Sequence, residues 1–189
     1  VSGAGHEWFS QRAARATDNA SKVAFLEMAL ESDPTDHESA YDLAETLRLW
    51  SWRGEPGYEK LADRAMKWFE RGMELNPLDP YNFARYGMCL HWLDRHAQAA
   101  PYFDRALERD PNNYYIVGLY GWHEFELGNY EQAKGWFDKS RELALRRFDI
   151  PWPDEMSWHY LRLIEKKIQE RTAKPGGNPP SGTSGVQTR

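Results

Sequence analysis

Cysteine is all but missing from this chain. Its one example, Cys89, excludes an intramolecular disulfide and any metal site built from several thiolates. An excess of basic charge is missing too. The 24 Lys and Arg are outnumbered by 29 Asp and Glu, and a net charge of −5 lacks the footprint that nucleic-acid binders carry. No stretch approaches the roughly 20 apolar residues that cross a bilayer, so no membrane span is expected in this chain. Nor does a signal-like apolar segment follow Val1, which stands where an initiator Met would. The chain reads either as one whose leader was removed or as a piece of a longer protein.

Catalytic motifs are absent as well. There is no Walker loop, Rossmann fingerprint or nucleophile elbow, and Gly182-Thr-Ser-Gly185 is one residue short of G-x-S-x-G. The six histidines (His6, His37, His91, His96, His123 and His159) contain no pair at the helical spacing of three or four that metal binding favours. His91 and His96 are five apart and are expected on different faces. Cys89, between Met88 and Leu90, reads as a small buried hydrophobe rather than a nucleophile. Asn19-Ala-Ser21 has the form of a glycosylation sequon, which a helix N-cap explains equally well. The expectation is no catalytic residue, no metal, no cofactor and no enzyme.

What the chain has in plenty is aromatic residues, 14% of the total with nine Trp, and a period. Ala65, Ala99 and Ala133 are 34 residues apart; so are Phe69, Phe103 and Phe137, and Trp68, Tyr102 and Trp136. Pro77 and Pro111 keep the step, as do Gly87 and Gly121. A repeat of this length means two antiparallel helices per unit, neither able to bury its apolar face without the next unit. Small residues such as Gly87 and Ala99 let helices approach, Phe103 fills the space between them, and Pro111 ends a helix whose next hydrogen bond it cannot donate.

The spacing resembles the tetratricopeptide pattern W-x2-L-G-x2-Y, A-x3-F, A, P. Phe83, Tyr86, Gly87 and Leu90 stand at its first-helix positions, and Ala99, Phe103, Ala106 and Pro111 at those of the second helix. The next unit keeps Val117, Tyr120, Gly121, Ala133 and Phe137 but departs at Glu124, Ser140 and Leu145, as suits a unit near the end of an array. An earlier unit has Leu43, Ala44, Leu47, Ala65, Phe69, Gly72 and Pro77. Its markers Pro34 and Pro77 are 43 residues apart, which leaves a nine-residue insertion. That insertion spans 50–58, where Gly54, Pro56 and Gly57 form turns. Trp50, Trp52 and Tyr58 are costly to expose, so the loop is expected to fold back onto the array.

The fold class that follows is all-α, a right-handed superhelical solenoid of antiparallel helix pairs with a C-terminal capping helix. A degenerate N-terminal pair occupies 1–34, with helices at 5–16 and 20–32. The repeat array runs over 35–146. A capping helix lies within 151–172, carrying Met156, Tyr160, Leu163, Ile164 and Ile168 on one side. Residues 173–189, rich in Pro, Gly, Ser and Thr, form a tail without a core pattern.

In tetratricopeptide arrays the first helices line the concave groove. The resemblance therefore places a ligand-binding groove at Tyr41, Glu45, Arg48, Tyr81, Arg85, Met88, His91, Tyr115, Trp122 and Phe125. Only Arg85 fits the carboxylate clamp that some members use on chaperone tails, so that ligand is not expected. The groove implied is aromatic. Its function would be that of a non-catalytic scaffold binding a protein or peptide, with a glycan as a further candidate partner. A narrower resemblance concerns Asp79 to Leu93, with Ser51-Trp-Arg-Gly54 and Gly121-Trp-His123. These stretches resemble C-terminal repeat regions of bacterial O-antigen ligase-like envelope proteins. That likeness implies an accessory module of glycan assembly and favours the cell envelope or the extracellular space over the cytoplasm. The third alternative is a self-assembling structural subunit, a head-to-tail homo-oligomer or fibre. Its contacts would be Trp8 and Phe9 at one end and Trp152, Met156 and Trp158 at the other.

Overall fold

Each first helix of the array begins at an acidic or amide side chain that caps it. Asp36 accepts from the backbone N–H groups of Glu38 and Ser39, Asp79 from that of Tyr81, and Asn113 from those of Tyr115 and Ile116. These caps satisfy donors that the first turn of a helix leaves without partners. The computed structural model describes residues 3–148 and 155–172. Among them the chain forms nine α-helices and no strand. They are α1 (Gly3–Arg15), α2 (Asn19–Ser32), α3 (His37–Ser51), α4 (Tyr58–Leu75), α5 (Pro80–Trp92), α6 (His96–Arg109), α7 (Tyr114–Glu126), α8 (Tyr130–Phe148) and α9 (Glu155–Thr172). The Trp152 and tail expectations fall outside the described residues.

Consecutive helices pair as α1·α2, α3·α4, α5·α6 and α7·α8, and α9 packs on α8. The first helices also touch in series, α3 with α5, α5 with α7 and α7 with α9. They therefore share one face. This is the all-α repeat solenoid that the 34-residue period implies.

The period has a direct packing cause. A Cβ at Gly87 would stand 2.6 Å from the ring of Phe103, and one at Gly121 would stand 3.2 Å from that of Phe137. Both rings are at most 1% exposed. Each glycine is the floor on which its phenylalanine lies; a side chain at Gly87 would displace Phe103, and one at Gly121 would crowd Phe137. The joints between units repeat as well. Tyr86 donates to Glu70 across α4 and α5, and Tyr120 donates to Asp104 across α6 and α7, at 3.0 and 2.9 Å. The carboxylates of Glu70 and Asp104 thus tie each unit to the next from an exposed face.

Three sequence readings need correction. The α2 cap is Asp18, which accepts from the Ser21 backbone; Asn19 is the first helical residue. On α9 the buried stripe is Ser157, Leu161 and Ile164, with Tyr160 and Ile168 packed beside it. Leu163 is only half-buried, because the helix sits about a quarter-turn from the expected face. His91 and His96 do not diverge, as described below. The insertion does fold back: Trp52 lies against Arg48 and Tyr58 against Trp92. At the two ends, Trp8 is 50% exposed on α1 and Trp158 44% on α9, so neither ring is fully covered by its own subunit.

Phe103→Ala removes a ring buried against Gly87, His91, Trp122 and His123. The expected cost is about 3–5 kcal/mol of unfolding free energy. Urea denaturation with equal midpoints for the two proteins would show that the register is wrong.

Candidate functional site

The face shared by α3, α5 and α7 carries the groove candidates in sequence order. Helix periodicity puts Tyr41, Glu45 and Arg48 on one stripe of α3, and Tyr81, Arg85, Met88 and His91 on one stripe of α5. Tyr41, Tyr81, Arg85, Tyr115 and Trp122 are half-buried, as groove walls would be. Arg48, Met88 and His91 are at most 5% exposed and form the floor. Phe125 turns away from the middle of the face and packs on Tyr130 and on Tyr160 of α9.

Arg85 organises the centre. Its Nη2 donates to the Tyr115 hydroxyl at 2.9 Å, its guanidinium lies 5.3 Å from that ring, and its Nε is 3.5 Å from Glu45. Glu45 is also gripped by Arg48 through two hydrogen bonds of 2.6 Å. A bidentate pair of this kind is strong and fixes both side chains. Tyr81 is held in turn by Asn113, whose amide donates to the phenol at 3.2 Å. Burial raises the Tyr41 phenol above its ordinary range, with Glu45 adding to the effect, so it stays a neutral donor.

The two rims of the face differ. At the starts of α3 and α5 lies a cleft of about 450 Å³ lined by Glu38, Tyr41, Asp42, Asp79 and Tyr81. Its acids sit where helix N-termini favour negative charge. At the opposite rim, where α3, α5 and α7 end, Trp52, Trp92, Trp122 and Glu126 enclose a smaller cavity of about 80 Å³ over Met88 and His91.

Beneath that cavity runs a chain of three imidazoles. His91 Nδ1 is 2.7 Å from His96 Nδ1, and His91 Nε2 is 2.6 Å from His123 Nδ1. With every ring neutral, one N–H can donate at each contact, so the chain is satisfied. Burial first, and then the neighbouring His123 and His96, pull the His91 pKa down to about 4. Burial lowers that of His123 as well, against the opposing charges of Glu124 and Asp104. His91 spends both nitrogens on its neighbours, and no group of three His, Cys, Asp or Glu among the described residues is placed to hold a metal. Cys89 is fully buried and its thiol is pushed up to about 12, mainly by burial, so no reactive thiolate is available.

Residues 90–144 match the family model for the tetratricopeptide repeat. The matched segment is similar to that repeat. It contains α6 and α7 with most of α8, and so the Phe103 and Phe137 registers. No curated protein matches the chain. Solved tetratricopeptide proteins share its fold. MamA (residues 41 to the end) from Desulfovibrio magneticus RS-1 is 16% identical, with a TM-score of 0.60 over 90% of this chain and 99% of that one. YrrB is 17% identical, with a TM-score of 0.57 over 88% and 77%. The Sgt2 domain from Aspergillus fumigatus is 17% identical, with a TM-score of 0.53 over 76% and 91%. None of these is an envelope glycan-assembly protein by description, so the O-antigen ligase-like resemblance gains no support. No helix among the described residues is long and apolar enough to cross a membrane.

Sequence reasoning missed Trp92, Glu126, Asn113 and the pairing of His91 with His123. The last two contacts join residues 32 apart, close to one repeat, and that step was the signal that could have found them.

The His91 pKa sets a pH dependence. Its folded value lies below the ordinary 6.5, so the fold favours the neutral ring. Stability is complete above about pH 6.5 and falls as pH drops toward 4, by up to about 3 kcal/mol. Glu124 and Asp104 act electrostatically on His123 beside it, which is why a variant must isolate the His91 ring. Thermal midpoints from pH 7.5 to 4 should fall more steeply for the wild type than for His91→Gln. Parallel curves would exclude the imidazole chain as the cause.

Proposed function

We propose that this chain is a non-catalytic tetratricopeptide scaffold that binds a protein or peptide segment along the face of α3, α5 and α7. The observation that carries the reading is the half-buried row Tyr41, Tyr81, Tyr115 and Trp122, in which Arg85 holds Tyr115, Asn113 holds Tyr81 and His91 lies edge-on to Trp122. Rings held in place before binding lose little freedom when a partner arrives, and aromatic residues with arginine commonly dominate binding energy. YrrB, which shares the fold, is described as a TPR protein with an unusual peptide-binding site. For the present chain that is support by analogy of fold.

A peptide array probed with the labelled protein would supply a binding sequence, and anisotropy its affinity. Tyr81→Ala and Trp122→Phe should weaken the best peptide about tenfold and about threefold, roughly 1.4 and 0.6 kcal/mol. The far-ultraviolet circular dichroism of both variants should remain helical. Unchanged affinity in both folded variants would remove the groove from the reading.

Self-association is a second reading, supported by the half-exposed Trp8 on α1 and by Phe148 and Trp158 at the other end of the array. Unlike ends would meet head to tail, a contact that propagates without closing. Sedimentation coefficients should rise with protein concentration, and Trp8→Ser should flatten that rise. A concentration-independent monomer would end this reading.

A further inference from the structure

The 80 Å³ cavity at the ends of the first helices has features that the groove as a whole does not. Three indoles from three different places converge on it. Trp52 comes from the turn after α3, Trp92 from the last residue of α5, and Trp122 from the last turns of α7. Trp52 and Trp92 remain 38% and 36% exposed, so they line the cavity without being consumed by the core. Trp122 is positioned from behind by edge contact with His91. Glu126 completes the wall and makes no ion pair among the described residues.

Two independent electrostatic terms point to one kind of occupant. The first is the indole face, which attracts cations more strongly than any other side chain. Trp52 already does so within the molecule, since the Arg48 guanidinium lies 4.2 Å from its ring centre. Arg48 is held by Glu45 through two bonds of 2.6 Å, a carboxylate that Arg85 shares at 3.5 Å. The second term is the backbone. The first helices run parallel, so α3, α5 and α7 all end at this rim, at Ser51, Trp92 and Glu126. Each helix C-terminus carries about half a negative charge. The cavity thus meets three helix C-termini, the Glu126 carboxylate and three indole rings.

Size narrows the choice. Pockets for drug-sized ligands measure roughly 300–1,000 Å³, and one water occupies about 30 Å³ of liquid. The space suits a single small head group, not a sugar ring or a whole nucleotide.

We propose that Trp52, Trp92, Trp122 and Glu126 form a cage for an alkylammonium group, the lysine head of the peptide bound in the groove. This rests on the peptide-binding reading for the source of the lysine, while the cage chemistry stands on the cavity alone. Charge agrees with that source: the chain carries −5 overall, and the cleft at the far rim is lined by Glu38, Asp42 and Asp79.

The test uses the full chain and small probes of defined charge. Indole N–H signals are assigned by Trp52→Phe, Trp92→Phe and Trp122→Phe and followed by nuclear magnetic resonance. The titrants are Nα-acetyl-lysine methylamide, its Nε-trimethyl form, its neutral Nε-acetyl form, and choline. The two charged lysine derivatives should shift the three cage indoles and bind at least tenfold more tightly than the neutral one. Glu126→Gln should weaken the charged derivatives at least threefold and leave the neutral one unchanged. Equal binding of charged and neutral forms would make the cavity a plain apolar cleft and overturn the proposal. Absence of shifts in the cage indoles would overturn it too. Binding of choline alone would overturn the lysine assignment. Loss of peptide capture with the lysine derivatives still caged would instead count against the groove reading.

Discussion

The contact on which the rest of the molecule depends is a phenylalanine ring laid flat on a glycine of the partner helix. Phe103 on Gly87 brings α5 against α6 closer than any Cβ would allow, and Phe137 on Gly121 brings α7 against α8 nearly as close. Once a pair is that close, its outer surface becomes a platform for the next pair. Tyr86 and Tyr120 then reach back to Glu70 and Asp104 across the joints. The solenoid is a consequence of repeating that single approach, and each unit is stable only through its neighbours.

Repetition also fixes polarity. Because every first helix enters in the same direction, all the capping residues gather at one rim and all the C-termini at the other. The acids Asp36 and Asp79 satisfy the N-terminal rim by their own side chains. At the C-terminal rim Arg48 is tied to Glu45, Arg95 lies 3.5 Å from Asp63, and burial discourages charge on His91 and His123. The two ends of the groove therefore differ electrostatically before any ligand is considered. At the turn between α5 and α6 the backbone shows the same repeat logic with a flaw. Asp94 adopts the positive φ of 55° that Gly128 holds, at 77°, one repeat later. Aspartate tolerates that region better than most side chains, which lets the turn keep its shape without glycine.

Much of this was legible because a repeat writes its core positions several times. Ala99, Phe103 and Gly87 could be assigned from phase alone, whereas the stripe Tyr81, Arg85 and Met88 was named from the resemblance to the tetratricopeptide pattern. What was not legible required contacts between elements. Arg48 pairs with Glu45 of its own helix, but its burial under Trp52 depends on how the turn after α3 folds. The histidines were searched for pairs within one helix, whereas His91 meets His123 on the next first helix. For α9, the sequence put Met156, Tyr160, Leu163, Ile164 and Ile168 on one side. The packed surface of α8 then chose Leu161 over Leu163.

The insertion at 50–58 shows how such an array acquires a feature that its period does not supply. Lengthening a surface turn costs little, since loop-closure entropy grows only with the logarithm of length. Gly54 and Gly57 take positive φ values of 66° and 91°, which bends the added chain back toward the array instead of into solvent. The bend sets Tyr58 against Trp92 and Trp52 over Arg48, at 5.4 and 4.2 Å. Without the insertion, the ends of α5 and α7 would present Trp92 and Trp122 on an open ledge. With it, a third indole closes the ledge into a cavity. The helices that carry the fold are left untouched, and so a local change in one turn produces a concave site where regular repeats would leave a flat rim.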